Sequence, residues 1–445
     1  MKRVVLILLI LFLHTVFFGQ QTPSDTIKQL PFAIAKEKKL PDDELADKKE
    51  GVYVTGIPDI SYDPVNGLGY GGEGFLFFTG KRSDPFFEYT PYRAQINLAL
   101  FNTTNNEREI KIGWDIPYIF NTKWRLRGEA AYEVNPNILY FGITENSLSP
   151  LNYFPNNDST KAPVTNAHYD AYNNSLTGQN KNYNRYTKAE AVINLSLERS
   201  YFGGKLRTLL GYEFANVKMT PFSGNSLLQK DFTANKIIGV GTNNISFVQA
   251  GFIFDTRNLE TDPSKGIFAE LLNELSLTAL GSQYNFNKTF FHINFYQSVL
   301  PKFFKKLVFA ARFGIGYTGG NSPFYEYQDQ WSSEGSIEGL GGGSTLRGYK
   351  QSRFLGRVMQ FNNIELRYKF AQCNFLKQHL AFSAVPFFDV GAVWNDFNTI
   401  TSFTNFRYSE GLGVRIVWNV NTILRFDYAI SQEDNQFFFK IGHTF

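Results

Sequence analysis

The sequence predicts an all-β protein: a 16-stranded antiparallel transmembrane β-barrel with one loop of its outer rim, the sixth external loop, folded inward. Three observations lead there. Apolar residues alternate with small or polar ones from residue 52 to the end, connection length follows the parity of the strand it leaves, and aromatic residues and glycine outweigh charge. Of 445 residues 17% are aromatic, with 45 Phe and 24 Tyr beside 37 Gly, whereas only 19% are charged. Two or three soluble domains would carry more charge and fewer rings. Lys and Arg number 44 against 40 Asp and Glu, so the net charge of +4 offers no footprint for nucleic acid and no acidic disordered tail.

The chain opens with Lys2 and Arg3, an apolar run over residues 4–18 and the small Gly19 before polar Gln20 and Gln21. That is the layout of a secretory signal peptide, assigned to 1–19. The run falls short of the roughly 20 apolar residues of a spanning helix, and no later segment approaches that length, so insertion downstream must use strands. Residues 20–51 carry Lys36, Lys38, Lys39, Asp42, Asp43, Glu44, Lys48 and Lys49 with too few apolar residues for a core. We read them as a flexible periplasmic arm. Residues 52–445 are the outer-membrane β-barrel domain.

The alternation is plain in residues 188–198, where Ala189, Ala191, Ile193, Leu195 and Leu197 oppose Lys188, Glu190, Asn194, Ser196 and Glu198. It recurs where Leu412, Val414, Ile416 and Trp418 oppose Gly411, Gly413 and Arg415, and where Leu424, Phe426, Tyr428 and Ile430 oppose Arg425, Asp427 and Ala429. Strands are expected at 52–62, 67–80, 92–103, 107–118, 123–134, 184–199, 204–219, 243–256, 265–279, 284–299, 305–318, 357–370, 378–395, 405–419, 421–431 and 435–445. Many reach about ten residues or more, the length that crosses a bilayer at a tilt. A soluble sandwich shows the same period, and the connections distinguish the two. Long polar connections follow the fifth, seventh, eleventh and thirteenth strands, whereas tight turns such as Phe120-Asn121-Thr122, Phe202-Gly203-Gly204 and Asn419-Val420-Asn421 follow even ones. A barrel with short periplasmic turns and long external loops sorts them in this way.

Little in the sequence supports covalent chemistry. Cys373 is the one cysteine, so no intrachain disulfide or thiolate metal site can form, and the five His residues have no ligand spacing. Gly67-Leu68-Gly69-Tyr70-Gly71-Gly72 fits a dinucleotide fingerprint in letters, but a strand pattern follows it where a helix is required. His292, His379 and His443 fall in separate expected strands with no nucleophile elbow. We expect no enzyme activity, no metal and no cofactor.

The inward loop is read from residues 336–349, where glycine allows the backbone to fold tightly back and Arg347 is the charge at the tip. A guanidinium inside a barrel needs a carboxylate. Strand twelve offers Glu365 on its polar face between Asn363 and Arg367, and strand thirteen turns Asp389 inward beside Gly391. In a partly hydrated interior such a pair is worth about 1–2 kcal/mol, a positioning contact rather than a large stability term. Pro58 has no amide to give a ladder, and Gly442 weakens the last strand, so the seam between first and last strands is expected to be short or strained. The alternative reading of Pro58 is that it marks strand entry.

These residues resemble the BamA/TamA superfamily of outer-membrane insertases, with the two-partner secretion transporters as cousins. Leu346-Arg347-Gly348-Tyr349 looks like the family's signature tip of the sixth external loop, which the resemblance implies meets an inward acid equivalent to Asp389. Asp255-Thr256-Arg257-Asn258 followed by Asp262-Pro263-Ser264-Lys265-Gly266 is similar to the family turn, giving Asp255, Arg257, Pro263 and Gly266 as its members. Pro117-Tyr118-Ile119-Phe120, Tyr140-Phe141-Gly142-Ile143 and the Phe-x-Asp-x-Gly pattern at residues 387–391 add to the likeness, which covers most of residues 52–445. Phe437, Phe439, Ile441, His443 and Phe445 alternate to an aromatic end, which resembles the C-terminal signal read by the barrel assembly machinery. BamA-like proteins usually carry POTRA domains before the barrel, and an arm of roughly 30 residues cannot hold one. The likeness is to variants without them.

The resemblance implies a bacterial outer-membrane location and a role in inserting, assembling or translocating proteins. The partners it implies are outer-membrane lipid, unfolded or partly folded clients and accessory subunits. A passive porin-like solute channel, or a structural subunit of a larger secretion or assembly complex, are the alternatives.

Overall fold

A strand with one greasy and one polar face has few ways to sit in a sheet. The computed structural model contains one dominant sheet of sixteen antiparallel strands in sequence order. It describes residues 29–40, 45, 48–63, 65–304, 306–375, 378–400, 403–418 and 422–445; the expected signal peptide and the turn Asn419-Val420-Asn421 lie outside these. The strands are β1 (Gly51–Asp63), β2 (Gly67–Gly80), β3 (Ala94–Thr103), β4 (Arg108–Ile116), β5 (Trp124–Leu139), β6 (Arg185–Tyr201), β7 (Leu206–Pro221), β8 (Gly241–Asp255), β9 (Lys265–Ser276), β10 (Phe286–Ser298) and β11 (Leu307–Gly320). A two-stranded ribbon of β12 (Asp329–Gln330) and β13 (Ile337–Glu338) sits in the next connection. The sheet resumes with β14 (Val358–Phe375), β15 (Gln378–Trp394), β16 (Arg407–Trp418), β17 (Thr422–Ser431) and β18 (Asn435–Ile441). Every sheet strand pairs with its successor, β11 passing directly to β14.

The two faces divide as the alternation predicts. On β16 Leu412 is 56% exposed while Arg415 is fully buried, and on β17 Tyr428 is 48% exposed while its neighbour Asp427 is fully buried. An exposed apolar band over a buried charged face inverts the arrangement of a soluble core. Among the described residues no helix is long and apolar enough to cross a membrane.

The ends of the sheet differ from expectation. β18 stops at Ile441, because Gly442 turns the chain at φ 88° and its amide donates to the Ile423 carbonyl at 2.8 Å. His443 and Phe445 therefore do not continue the row of Phe437, Phe439 and Ile441. β1 and β18 lie beside each other, with Cα atoms within 8 Å, but no ladder joins them among the described residues. Pro58 is in the middle of β1, paired with Gly72 in an unshifted register, and does not mark strand entry.

Connections on the two rims also differ in kind. β5 runs on to Leu139, and residues 140–184 form a folded lobe with short helices at Glu145–Leu148 and Tyr169–Ser175. This lobe holds the β11–β14 connection through Thr144 N to Leu355 O (2.6 Å) and Arg353 Nη2 to Ser149 O (2.9 Å). On the opposite rim the β4–β5 and β6–β7 turns are short, whereas residues 81–93 between β2 and β3 are longer than parity suggested. Residues 32–40, within the stretch read as a flexible arm, pack against this same rim.

Candidate functional site

The β11–β14 connection is anchored along its length to the buried polar face. Lys288 of β10 donates to Glu326 at 3.0 Å, Glu270 of β9 accepts from the Ser332 hydroxyl at 2.7 Å, and Glu334 accepts from Arg257 at 2.5 Å. The tip folds on itself. Gly342 N donates to Tyr349 O (2.9 Å), Phe354 N to Leu340 O (3.0 Å), and the Thr345 hydroxyl to Gly339 O (2.9 Å). Gly348 takes φ 90°, a conformation that side chains rarely adopt, and its carbonyl accepts from the Ser431 hydroxyl at 2.6 Å. Leu346 and Tyr349 are buried with Leu340, Phe354, Met359 and Phe361.

This fold delivers Arg347, fully buried, to three carboxylates from three strands. Nε and Nη2 reach the two oxygens of Asp389 on β15, each at 2.8 Å, in a bidentate fork. Nη1 donates to Glu365 of β14 (2.9 Å), Asp427 of β17 (3.0 Å) and the Thr444 hydroxyl (3.1 Å). The guanidinium lies 3.5 Å over the centre of the Phe387 ring. Asn363 steadies the assembly, its amide donating to both Thr345 O and Asp389 at 2.7 Å. The carboxylates have further partners: Arg367 on Glu365 at 2.9 Å and Arg415 on Asp427 at 2.5 Å. Gly391 leaves the space that Leu340 fills, since a Cβ there would stand 2.5 Å from Leu340 Cδ1.

Asp389 and Glu365, the expected acceptors, both meet Arg347. Asp427 and Thr444 were not foreseen. Alternation places Asp427 on the polar face of its strand, whereas the tail bearing Thr444 continues the strand pattern in sequence and leaves it in the structure.

The expected turn motif forms a second cluster. Asp255, at the end of β8, accepts from Arg257 N (3.0 Å) and Nε (3.1 Å), and the guanidinium stacks 4.1 Å from the Phe268 ring centre. Gly266 has φ 115°, with the Thr256 carbonyl where a Cβ would sit. Pro263 follows Asp262, which accepts from Lys369 (3.1 Å) and pairs with His443 (3.0 Å). The Phe445 ring lies 5.0 Å from Arg312 and 5.1 Å from Arg367. Pro58 and Gly442, the expected seam residues, stand on β1 and just past β18. Among the described residues no group of His, Cys, Asp and Glu is placed to hold a metal ion.

Comparison with known families finds the Omp85 superfamily domain over residues 92–445 and a domain of unknown function, DUF5982, over residues 30–93. No curated protein matches the chain in sequence. Among solved structures the fold is similar to BamA from Haemophilus ducreyi lacking POTRA domains 1–3, at 14% identity and a TM-score of 0.53, covering 88% of this chain and 70% of that one. It is also similar to CdiB from Escherichia coli, at 12% identity and a TM-score of 0.52, covering 87% of this chain and 62% of that one.

Proposed function

The chain belongs to the Omp85 superfamily, and from that premise we propose that it is an outer-membrane β-barrel that assists the insertion, assembly or translocation of other proteins without covalent chemistry. In this reading residues 1–19 direct export, the sheet closes along β1 and β18, its apolar band faces lipid, and the β11–β14 connection lies in the lumen as a stopper. The observation that carries it is the seat of Arg347. A buried guanidinium matched by carboxylates on three strands fixes a loop where a simple open pore needs free space. Clients are unfolded or partly folded chains, and a client strand adds to the edge of β1, where among the described residues β18 forms no ladder and Pro58 interrupts the donors.

Arg347→Glu sets a fourth negative charge against Glu365, Asp389 and Asp427. It is expected to expose residues 339–349 to added protease and to lower client assembly in reconstituted membranes. Normal protection together with normal assembly would sink the stopper. Planar-bilayer recordings supply the contrast: the stoppered barrel gives small, irregular currents that grow in Arg347→Glu, whereas large steady currents from the wild type mark a passive solute channel.

A further inference from the structure

Residues 32–40 lie across three successive connections of one rim and the end of β8 beside them. The Phe32 ring lies against both Phe86 of the β2–β3 connection (5.6 Å between centres) and Tyr118 of the β4–β5 turn (5.7 Å), with the Lys123 ammonium 5.6 Å from its centre. Phe86 and Tyr118 stack on each other at 4.7 Å, forming an aromatic socket. Ala35 N donates to Gly203 O of the β6–β7 turn at 3.0 Å. Gly203 has no alternative: a Cβ there would stand 2.7 Å from Ala35 N. After a single turn at Lys36–Lys38, the Lys38 ammonium reaches buried Asp255 at 3.3 Å and Leu40 N donates to Glu88 O at 2.8 Å.

An aromatic socket, a bare glycine that admits only a small residue, a buried carboxylate for a cation and two main-chain carbonyls are the means by which proteins hold extended peptides. The arm does not fill the groove. A cavity of about 180 Å³ remains between Lys38, Leu40 and a wall that includes Tyr92, Arg125, Arg207 and Glu260.

We propose that this groove is a binding site for an extended polypeptide segment bearing an aromatic residue, a small residue three positions later and a lysine three beyond that, and that the arm occupies it in place of such a segment of an unfolded client. That the visitor is a client rests on the proposed function; the peptide chemistry of the groove does not. The arm belongs to the same chain as the groove, which gives it a local concentration on the order of millimolar, so a client segment must compete with it.

A fluorescent peptide with the sequence of residues 30–40 tests the site on the full chain in detergent, without any client assay, so its result stands apart from that of the insertion function. Phe32→Ser with Lys38→Glu in the protein weakens the arm and leaves the groove intact. This variant should bind the peptide at least about ten-fold more tightly than the wild type, the margin that a tethered competitor of that concentration provides. Peptides that themselves carry Phe32→Ser or Lys38→Glu should lose at least about ten-fold, a readout that requires no further change to the protein. Adding Gly203→Leu should abolish binding. Equal affinity for wild type and variant, or indifference to the peptide's phenylalanine and lysine, would overturn the proposal and leave the arm a fixed part of the rim.

Discussion

A guanidinium with no exposure persists only while its charge is answered, and Arg347 is answered three times. Its burial is deeper than the partly hydrated pair inferred from sequence, so its removal costs more. Arg347→Ala strands Glu365, Asp389 and Asp427 without it and is expected to lower stability by about 3–5 kcal/mol, read as an earlier loss of the folded band on heating in a gel-shift assay. Arg347→Lys keeps the charge without the fork and should recover only part of that. An unchanged midpoint for Arg347→Ala would mean that Arg367 and Arg415 suffice for the carboxylates. Alternation made Asp389 and Glu365 legible, because it tells which face a side chain takes. It does not tell which distant strand meets the loop tip, and so Asp427, equally inward on β17, was passed over.

Among the elements, the tail after β18 ties the last strand to the loop. The Thr444 hydroxyl accepts from Arg347 and Arg425, and His443 pairs with Asp262. Burial, reinforced by the Arg367 charge, holds the His443 imidazole down to about 4 against the pull of Asp262. The depressed value means that the unfolded chain binds a proton that the folded chain refuses. Stability from this group is therefore whole above pH of about 6.5 and is lost as pH falls from there towards about 4. Melting followed between pH 7 and 4.5 should show the wild type losing stability more steeply than His443→Gln, and superimposable profiles would remove His443 from the account. The strands themselves were legible to within a few residues, because a period of two over ten positions is hard to mimic. The exceptions are β5 and β14, which each run five residues beyond their expected ends, and β18, where a single glycine at positive φ ends a pattern that continues in the letters. The arm was less legible, since its contacts rest on individual aromatic and charged partners in turns remote in sequence, which no periodicity reports.

At the scale of the whole molecule, β1 has thirteen residues and β18 has seven, and no ladder joins them among the described residues. If client strands enter there, cysteine pairs that lock β1 to β18 should halt client assembly while leaving the folded band intact, and reduction should restore it. Full activity in the locked protein would refute entry by that route. The order of the sheet was open to inference because every connection joins neighbours, whereas how its two edges meet depends on strands at opposite ends of the chain, which no local pattern reports.

The strap of residues 32–40 touches the β2–β3, β4–β5 and β6–β7 connections and the end of β8, much as a clasp gathers several ribbons. Whatever lifts it frees those connections together, so an event at a single aromatic socket would be felt as a slackening of the sheet from β2 to β8.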